Sequence, residues 1–257
     1  MFLKVLEEKW ERAGEEAECI AGLLRKHGVE PGSTLLDLGC GNGRTAVNLA
    51  KLGYRVVGVD ISPVFIEDAK KRAAQHGVSD KVEFIACDAR ELPEALGNRV
   101  FDAVINVRST IIGYYLDESV DEQVLRNAWM VTREKGFLFI LNTVNRDLIA
   151  LVNSIVSRPA YITELSNNMV MIEKPVFNPV DSTIENTWVF YRREGKNLIH
   201  IDEVSFKLRA YSLHEIVEIA RRAGWRYVES YCNIKTLSVF KPALCGLNVV
   251  FQKTRGG

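Results

Sequence analysis

Apolar positions recur at helical spacing in the first stretch of the chain, where Trp10, Ala13, Ala17, Ile20 and Leu24 share one face. The run stops at His27-Gly28, and glycine suits the left-handed position just past a helix end. The pattern then changes period. Thr34 to Leu38 reads as a short buried strand, followed by a glycine-rich turn and a helix over Asn42 to Lys51. Arg55 to Val59 is a second strand. Ser62-Pro63 pairs a serine N-cap with a first-turn proline, and the helix it opens ends at His76-Gly77. Val82 to Ala86 and Phe101 to Asn106 are further strands. Ser119 to Glu122 has the form of a capping box opening a helix towards Thr132, and Gly136 to Leu141 is a fifth strand.

Strands alternating with helices at these lengths predict an α/β fold with a doubly wound parallel sheet and helices on both faces. After Leu141 the pattern breaks. A helix is predicted over Asn145 to Ser157, then extended runs interrupted by Pro159, Pro175 and Pro179. Period-two alternation in Ile184 to Tyr191 and Val204 to Leu208 predicts an antiparallel insertion over the carboxyl edge of the sheet. Ser212 to Glu215 is another capping box, its helix ends at Gly224, and Trp225 to Tyr231 and Leu247 to Phe251 are closing strands. The organisation expected is one domain over 1–257, with an N-terminal helical cap at 1–30 and an antiparallel insertion at 158–210.

Charge narrows the partners. Lys+Arg and Asp+Glu balance at 33 each and no block of like charge appears, which counts against nucleic acid without excluding a local basic patch. Apolar runs such as Phe137 to Leu141 are too short to span a bilayer, and the acidic N-terminus lacks a secretory apolar segment. Cys19, Cys40, Cys87, Cys232 and Cys245 are scattered and contain no C-x-x-C pair. That spacing predicts neither a disulfide framework nor a metal site, and a reducing cytoplasm is the simplest setting.

The chemistry concentrates at Leu35-Leu36-Asp37-Leu38-Gly39-Cys40-Gly41-Asn42-Gly43. Glycines at a strand-to-helix turn let backbone approach a ligand closely and expose helix N-terminal amides. Gly41 to Ala46 also satisfies the dinucleotide pattern G-x-G-x-x-A, so a nicotinamide cofactor is one reading.

The run D-L-G-C-G-N-G after an apolar strand resembles motif I of the class I S-adenosylmethionine-dependent methyltransferases. Asp60 after V-G-V, Cys87-Asp88-Ala89 after the third strand, and the F-D-A-V-I-N strand are similar to that family's later motifs. The resemblance implies a seven-stranded, mostly parallel sheet and S-adenosyl-L-methionine as cofactor. It implies cofactor contacts at Asp37, Gly39, Cys40, Gly41, Asp60, Ile61, Asp88, Ala89 and Asn106. One carboxylate accepts both hydroxyls of a ribose, which suits Asp60. Asp88 would accept from the adenine amine, the Ala89 amide would donate to the ring, and Ile61 would cover one adenine face. Asp37 would meet the methionyl ammonium. A nicotinamide enzyme accounts for Gly41, Gly43 and Asp60, but gives no reason for Asp37 or Asp88.

The acceptor side is less legible. Methyl transfer needs alignment and exclusion of water, and a general base only where the acceptor must lose a proton. The exit of the fourth strand, Asn106 to Tyr115, lacks the N/D-P-P-Y/F motif of base amino methylation, and no Pro-Cys motif of pyrimidine methylation occurs. Arg108, Tyr115 and Arg146 are candidates for acceptor binding. Each has a plainer reading: a solvated arginine, a packed ring, a salt bridge where a helix begins. No catalytic residue is assigned; His200, Tyr114 and Tyr115 are the candidates, His200 because the other histidines sit at helix ends or caps. Trp10 would help close the cofactor site, and the insertion's aromatic residues would wall a small-molecule cavity. The expectation is methyl transfer to an oxygen, nitrogen or carbon of a small molecule. Alternatives are an RNA or protein acceptor, or a cofactor-binding protein without catalysis.

Overall fold

The computed structural model describes every residue except 1, 11, 109, 110, 157, 158 and 255–257. The chain opens with two helices, α1 (Phe2–Glu8) and α2 (Ala13–Lys26). The single helix expected there is broken, and Trp10 sits in the turn between the two. Alternation follows as expected: β1 (Thr34–Leu38), α3 (Arg44–Lys51), β2 (Arg55–Asp60), α4 (Pro63–Gln75), β3 (Val82–Ala86), a short α5 (Leu92–Leu96), β4 (Phe101–Val107), α6 (Glu118–Met130), β5 (Thr132–Thr143) and α7 (Arg146–Ile155).

The insertion is a separate four-stranded antiparallel sheet of β6 (Tyr161–Leu165), β7 (Met169–Asn178), β8 (Thr183–Glu194) and β9 (Asn197–Arg209), in that order. The chain then returns to the main sheet through α8 (Leu213–Arg222), β10 (Trp225–Asn233), β11 (Ser238–Val239) and β12 (Leu247–Lys253). The main sheet runs β11-β10-β12-β5-β4-β1-β2-β3. Pairs from β5 to β3 are parallel, and β12 lies antiparallel to both β5 and β10. The strand count is eight rather than seven, because β11 adds a two-residue edge that is too short to show as alternation.

Two cores follow from the two sheet faces. Ile20 and Leu24 of α2, Leu49 of α3 and Ile66 of α4 bury one face against Leu35, Ala103 and Phe139. Val124 and Leu125 of α6 with Ile216 and Ile219 of α8 bury the other against Leu36, Val104 and Leu138. The strands are apolar on both sides, as a covered parallel sheet requires.

Two local expectations change. Helix α6 is capped by Asp117, whose carboxylate accepts from the Ser119 amide at 2.9 Å, so Ser119 lies inside the helix. The expected box fails because an equally good cap stands two residues earlier, which frees Asp121 for another role. Cys232 and Cys245 form a disulfide, with Cα atoms 5.2 Å apart. Their separation of 13 residues carries no sequence signal. Antiparallel pairing of β10 with β12, which sets Tyr231 opposite Asn248, brings the two ends together. No helix among the described residues is long and apolar enough to cross a membrane.

Candidate cofactor and acceptor site

Asp37 and the glycine loop stand at the carboxyl end of β1, beside the end of β2. The amides of Gly39 and Cys40 both donate to the Val59 carbonyl at 2.9 Å, which pins the loop to β2. Gly43 takes a left-handed φ of 76°, and a Cβ there would stand 2.7 Å from the Phe84 ring, so only glycine lets the turn close on the sheet. One oxygen of Asp60 accepts from the Gly41 amide and the other from the Ser62 amide, each at 2.9 Å. The carboxylate thus ties the two turns together. Burial raises its pKa, and the two amide bonds oppose that rise.

Two buried polar side chains line this turn with three of their atoms unsatisfied. Asp37 is 2% exposed and its Oδ2 has no hydrogen-bond partner; burial pushes its carboxyl up to about 7. Asn42 is 1% exposed, and neither its amide nitrogen nor its oxygen is bonded. Polar atoms buried in this way cost stability unless something pairs with them. An amino-acid end carrying an ammonium and a carboxylate fits these orphaned atoms.

Next to the turn is a cleft of about 210 Å³, lined by Gly39, Asp60, Ile61, Cys87, Ala89, Ile111, Tyr114 and Tyr115. Ile61 is 67% exposed, an uncovered apolar side chain of the kind that packs on a flat ring. Asp88 caps the turn after β3, takes a bidentate pair from Arg90, and accepts from the Tyr115 hydroxyl at 2.8 Å. The Arg90 bonds hold its carboxyl down to about 2. Burial and the Asp88 bond raise the Tyr115 hydroxyl. Asn106 is buried, and its Nδ2 donates to the Leu38 carbonyl at 2.7 Å, joining the ends of β4 and β1.

The remaining candidates distribute unevenly. Tyr114 stacks on Phe206 of the insertion, with centroids 6.2 Å apart. Arg108 takes a left-handed φ of 69° and pairs with Glu16 at 2.9 Å. Cys40 is buried and its thiol is raised by burial. Arg146 is tied to Asp147 at 3.0 Å and Glu215 at 3.2 Å, and lines a different groove with Leu213 and Phe240. His200 lies exposed on β9 with its ring against Tyr191. Neither Arg146 nor His200 lines the cleft.

The structure adds groups that sequence reading missed. Glu16 of α2 is largely buried and accepts from Arg44 at 3.1 Å, Arg108 at 2.9 Å and Asn142 at 3.0 Å. Lys9 sits near the same cations, and burial, then Arg108 and Arg44, lower its pKa. These residues are distant in sequence, so no local spacing marks them. Trp10 stacks on His76 at 5.3 Å and lies under Arg72 at 4.9 Å, which docks the N-terminal segment on α4. Leu6 of α1 stands beside Gly41, and Val5 packs on Met169 and Phe190 of the insertion.

Residues 29–197 match the methyltransferase domain family. A ubiquinone biosynthesis O-methyltransferase of Brucella anthropi is 32% identical over 145 residues, 56% of this chain and 54% of that protein. The tRNA 5-carboxymethoxyuridine methyltransferase of Escherichia coli is 33% identical over 107 residues, 42% of this chain and 39% of that enzyme. The chain therefore spans about half the length of these relatives, or less. The CcbJ methyltransferase of Streptomyces caelestis has a similar fold, with a TM-score of 0.77 at 21% identity, over 95% of this chain and 90% of that one. This chain belongs to the methyltransferase domain family and has the class I fold of S-adenosylmethionine-dependent enzymes.

Proposed function

We propose that the chain is an S-adenosylmethionine-dependent methyltransferase whose acceptor is a small molecule held between the cofactor cleft and the insertion sheet. When bound, the cofactor supplies an electrophilic methyl group. Asp60 takes the ribose hydroxyls, Ile61 and the Ala89 amide take the adenine, and Asp88 stands beside it. Asp37 and Asn42 take the amino-acid end, with Gly39, Cys40 and Gly41 as the close backbone floor. Asn106 holds the exit of β4 in place.

The observation that carries the acceptor reading is the Tyr114–Phe206 stack, which joins a residue of the cofactor cleft to the inner face of the insertion. The stack supports an acceptor space roofed by that sheet and floored by the exit of β4. Apolar walls with few polar groups suit a small ligand better than a charged polymer. The insertion at 158–210 is then the acceptor cover and 1–30 the cofactor cap of one domain. Arg108 and Tyr115 border that space, while Arg146 and His200 serve the structure elsewhere.

Calorimetric titration of S-adenosylhomocysteine into wild type and Asp60→Ala, with NAD as control ligand, tests the cofactor site. Binding by wild type, weakened at least about tenfold by the substitution, is expected from the loss of charge-assisted bonds. Equal binding by both proteins, or a preference for NAD, would remove the assignment.

A further inference from the structure

On the inner face of the insertion sheet, the buried positions of β7 and β8 are apolar except for Asn186, which pairs with the half-buried Glu173. Along β7 and β8 it presents Met169, Met171, Ile184, Trp188 and Phe190, all buried. Within that row stand Glu173 and Asn186. Register puts Glu173 opposite Trp188, and Asn186 opposite Phe206, so both share the face that carries those rings. Side chains alternate across a strand, which fixes this assignment.

Asn186 is 7% exposed. Its Nδ2 donates to Glu173 Oε1 at 2.5 Å, while its Oδ1 has no hydrogen-bond partner. The amide is thus oriented by the carboxylate and leaves one buried acceptor vacant. Across the strand pair, Phe206 stacks on Tyr114, a wall of the cofactor cleft. From the other side Lys9 feels the charge of Glu173 and of Arg108 at the exit of β4, yet forms no ion pair with Glu173 among the described residues. A carboxylate and an unpaired carbonyl oxygen therefore stand on the face that carries Phe206 towards the proposed acceptor space, and among the described residues no donor bonds to Asn186 Oδ1.

We propose that Glu173 and Asn186 form the recognition site for a primary or secondary amine on the acceptor, so that nitrogen is the atom methylated. This rests on the acceptor space proposed above. Two convergent acceptors match a nitrogen carrying two or more N–H bonds, whereas a hydroxyl has a single proton to donate. The half-buried Glu173 carboxylate also favours a cation over a neutral group. Glu173 takes one proton from the bound ammonium onto its carboxylate, which leaves a lone pair on nitrogen. Asn186 Oδ1 keeps a hydrogen bond to the same nitrogen and fixes its direction.

Matched probes test this by binding rather than turnover. Cyclohexylamine, piperidine and glucosamine, each paired with cyclohexanol, tetrahydropyran or glucose, are titrated into the protein loaded with S-adenosylhomocysteine. At least one amine should bind about tenfold tighter than its neutral partner, and Glu173→Gln should bring it to the level of that partner. Asn186→Leu should weaken the amine and spare the neutral compound, and it carries the test if Glu173→Gln does not fold by circular dichroism. S-adenosylhomocysteine should bind wild type and Glu173→Gln equally. No amine preference in wild type, or a preference that survives both substitutions, overturns the amine site. Failure of wild type to bind S-adenosylhomocysteine would instead overturn the reading on which it rests.

Discussion

The Tyr115 hydroxyl donates to Asp88 Oδ1 at 2.8 Å, so a residue of the β4 exit holds the carboxylate at the end of β3. The link makes the proposed adenine side of the cleft depend on the loop at the β4 exit. Arg90 also lies over the Tyr115 ring, at 5.2 Å, so ring and hydroxyl can be separated by mutation.

Tyr115→Phe keeps the ring and its arginine while removing the hydrogen bond. Affinity for S-adenosylhomocysteine should fall by about three- to tenfold, the range of one lost hydrogen bond. Calorimetry on wild type and variant measures it, and unchanged affinity would show that the bond does not shape the cleft.

Asp37 makes a prediction in pH. Burial pushes its carboxyl up from 3.8 to about 7, so folding favours the protonated form. The stability it contributes is fully present below about pH 4 and is lost as pH rises through about 7. Asp37→Asn should therefore stabilise the cofactor-free protein by about 1–3 kcal/mol at pH 8 and by only about a third as much at pH 5. The ionised carboxylate is what an ammonium needs, so wild-type affinity for S-adenosylhomocysteine should decline as pH falls below 7. Thermal melts at the two pH values decide the first point, and equal effects at both would contradict it.

Gly113 joins three elements. Its φ is 94°, its amide donates to both oxygens of the buried Asp121 at 3.0 Å, and its carbonyl accepts from the Arg209 amide at 2.8 Å. A Cβ there would press into the Arg209 carbonyl oxygen. Gly113→Ala should cost about 2–4 kcal/mol through a strained conformation and a displaced strand end. Urea unfolding measures the loss. Asp121→Asn, which keeps the shape but weakens the bonds from Gly113 and from Tyr211 at 2.6 Å, should cost less.

Local signals carried the sheet. Thr34–Leu38 and Val82–Ala86 stand where alternation put them, and Ser62 and Ser212 cap their helices as their neighbours require. The glycine loop, Asp60, Ile61, Ala89, Tyr114 and Tyr115 come together because each follows a parallel strand, and parallel strands end on one edge. Features set by distant pairing were not legible. Strands β6 and β7 showed only as extended runs, since their inner and outer faces both mix polar and apolar residues. Glu16 meets Arg108 across the fold, Glu173 meets Asn186 across a hairpin, and Asp121 turns from its expected cap to Gly113 and Tyr211. His200 looked available in the sequence because nothing local shows that β9 extends past the core into solvent.

The two ends of the insertion meet. Asn145 and Tyr211 form an isolated parallel bridge, and the Arg146 amide donates to the Tyr211 carbonyl at 3.0 Å. All the chain between them leaves and returns through that one neck, while the strands of the main sheet pair only with each other. Closing a longer or shorter loop across a fixed neck changes its entropy slowly with length. The insertion proposed as acceptor cover is therefore an exchangeable cassette, able to diverge in size and sequence while the main sheet keeps its register.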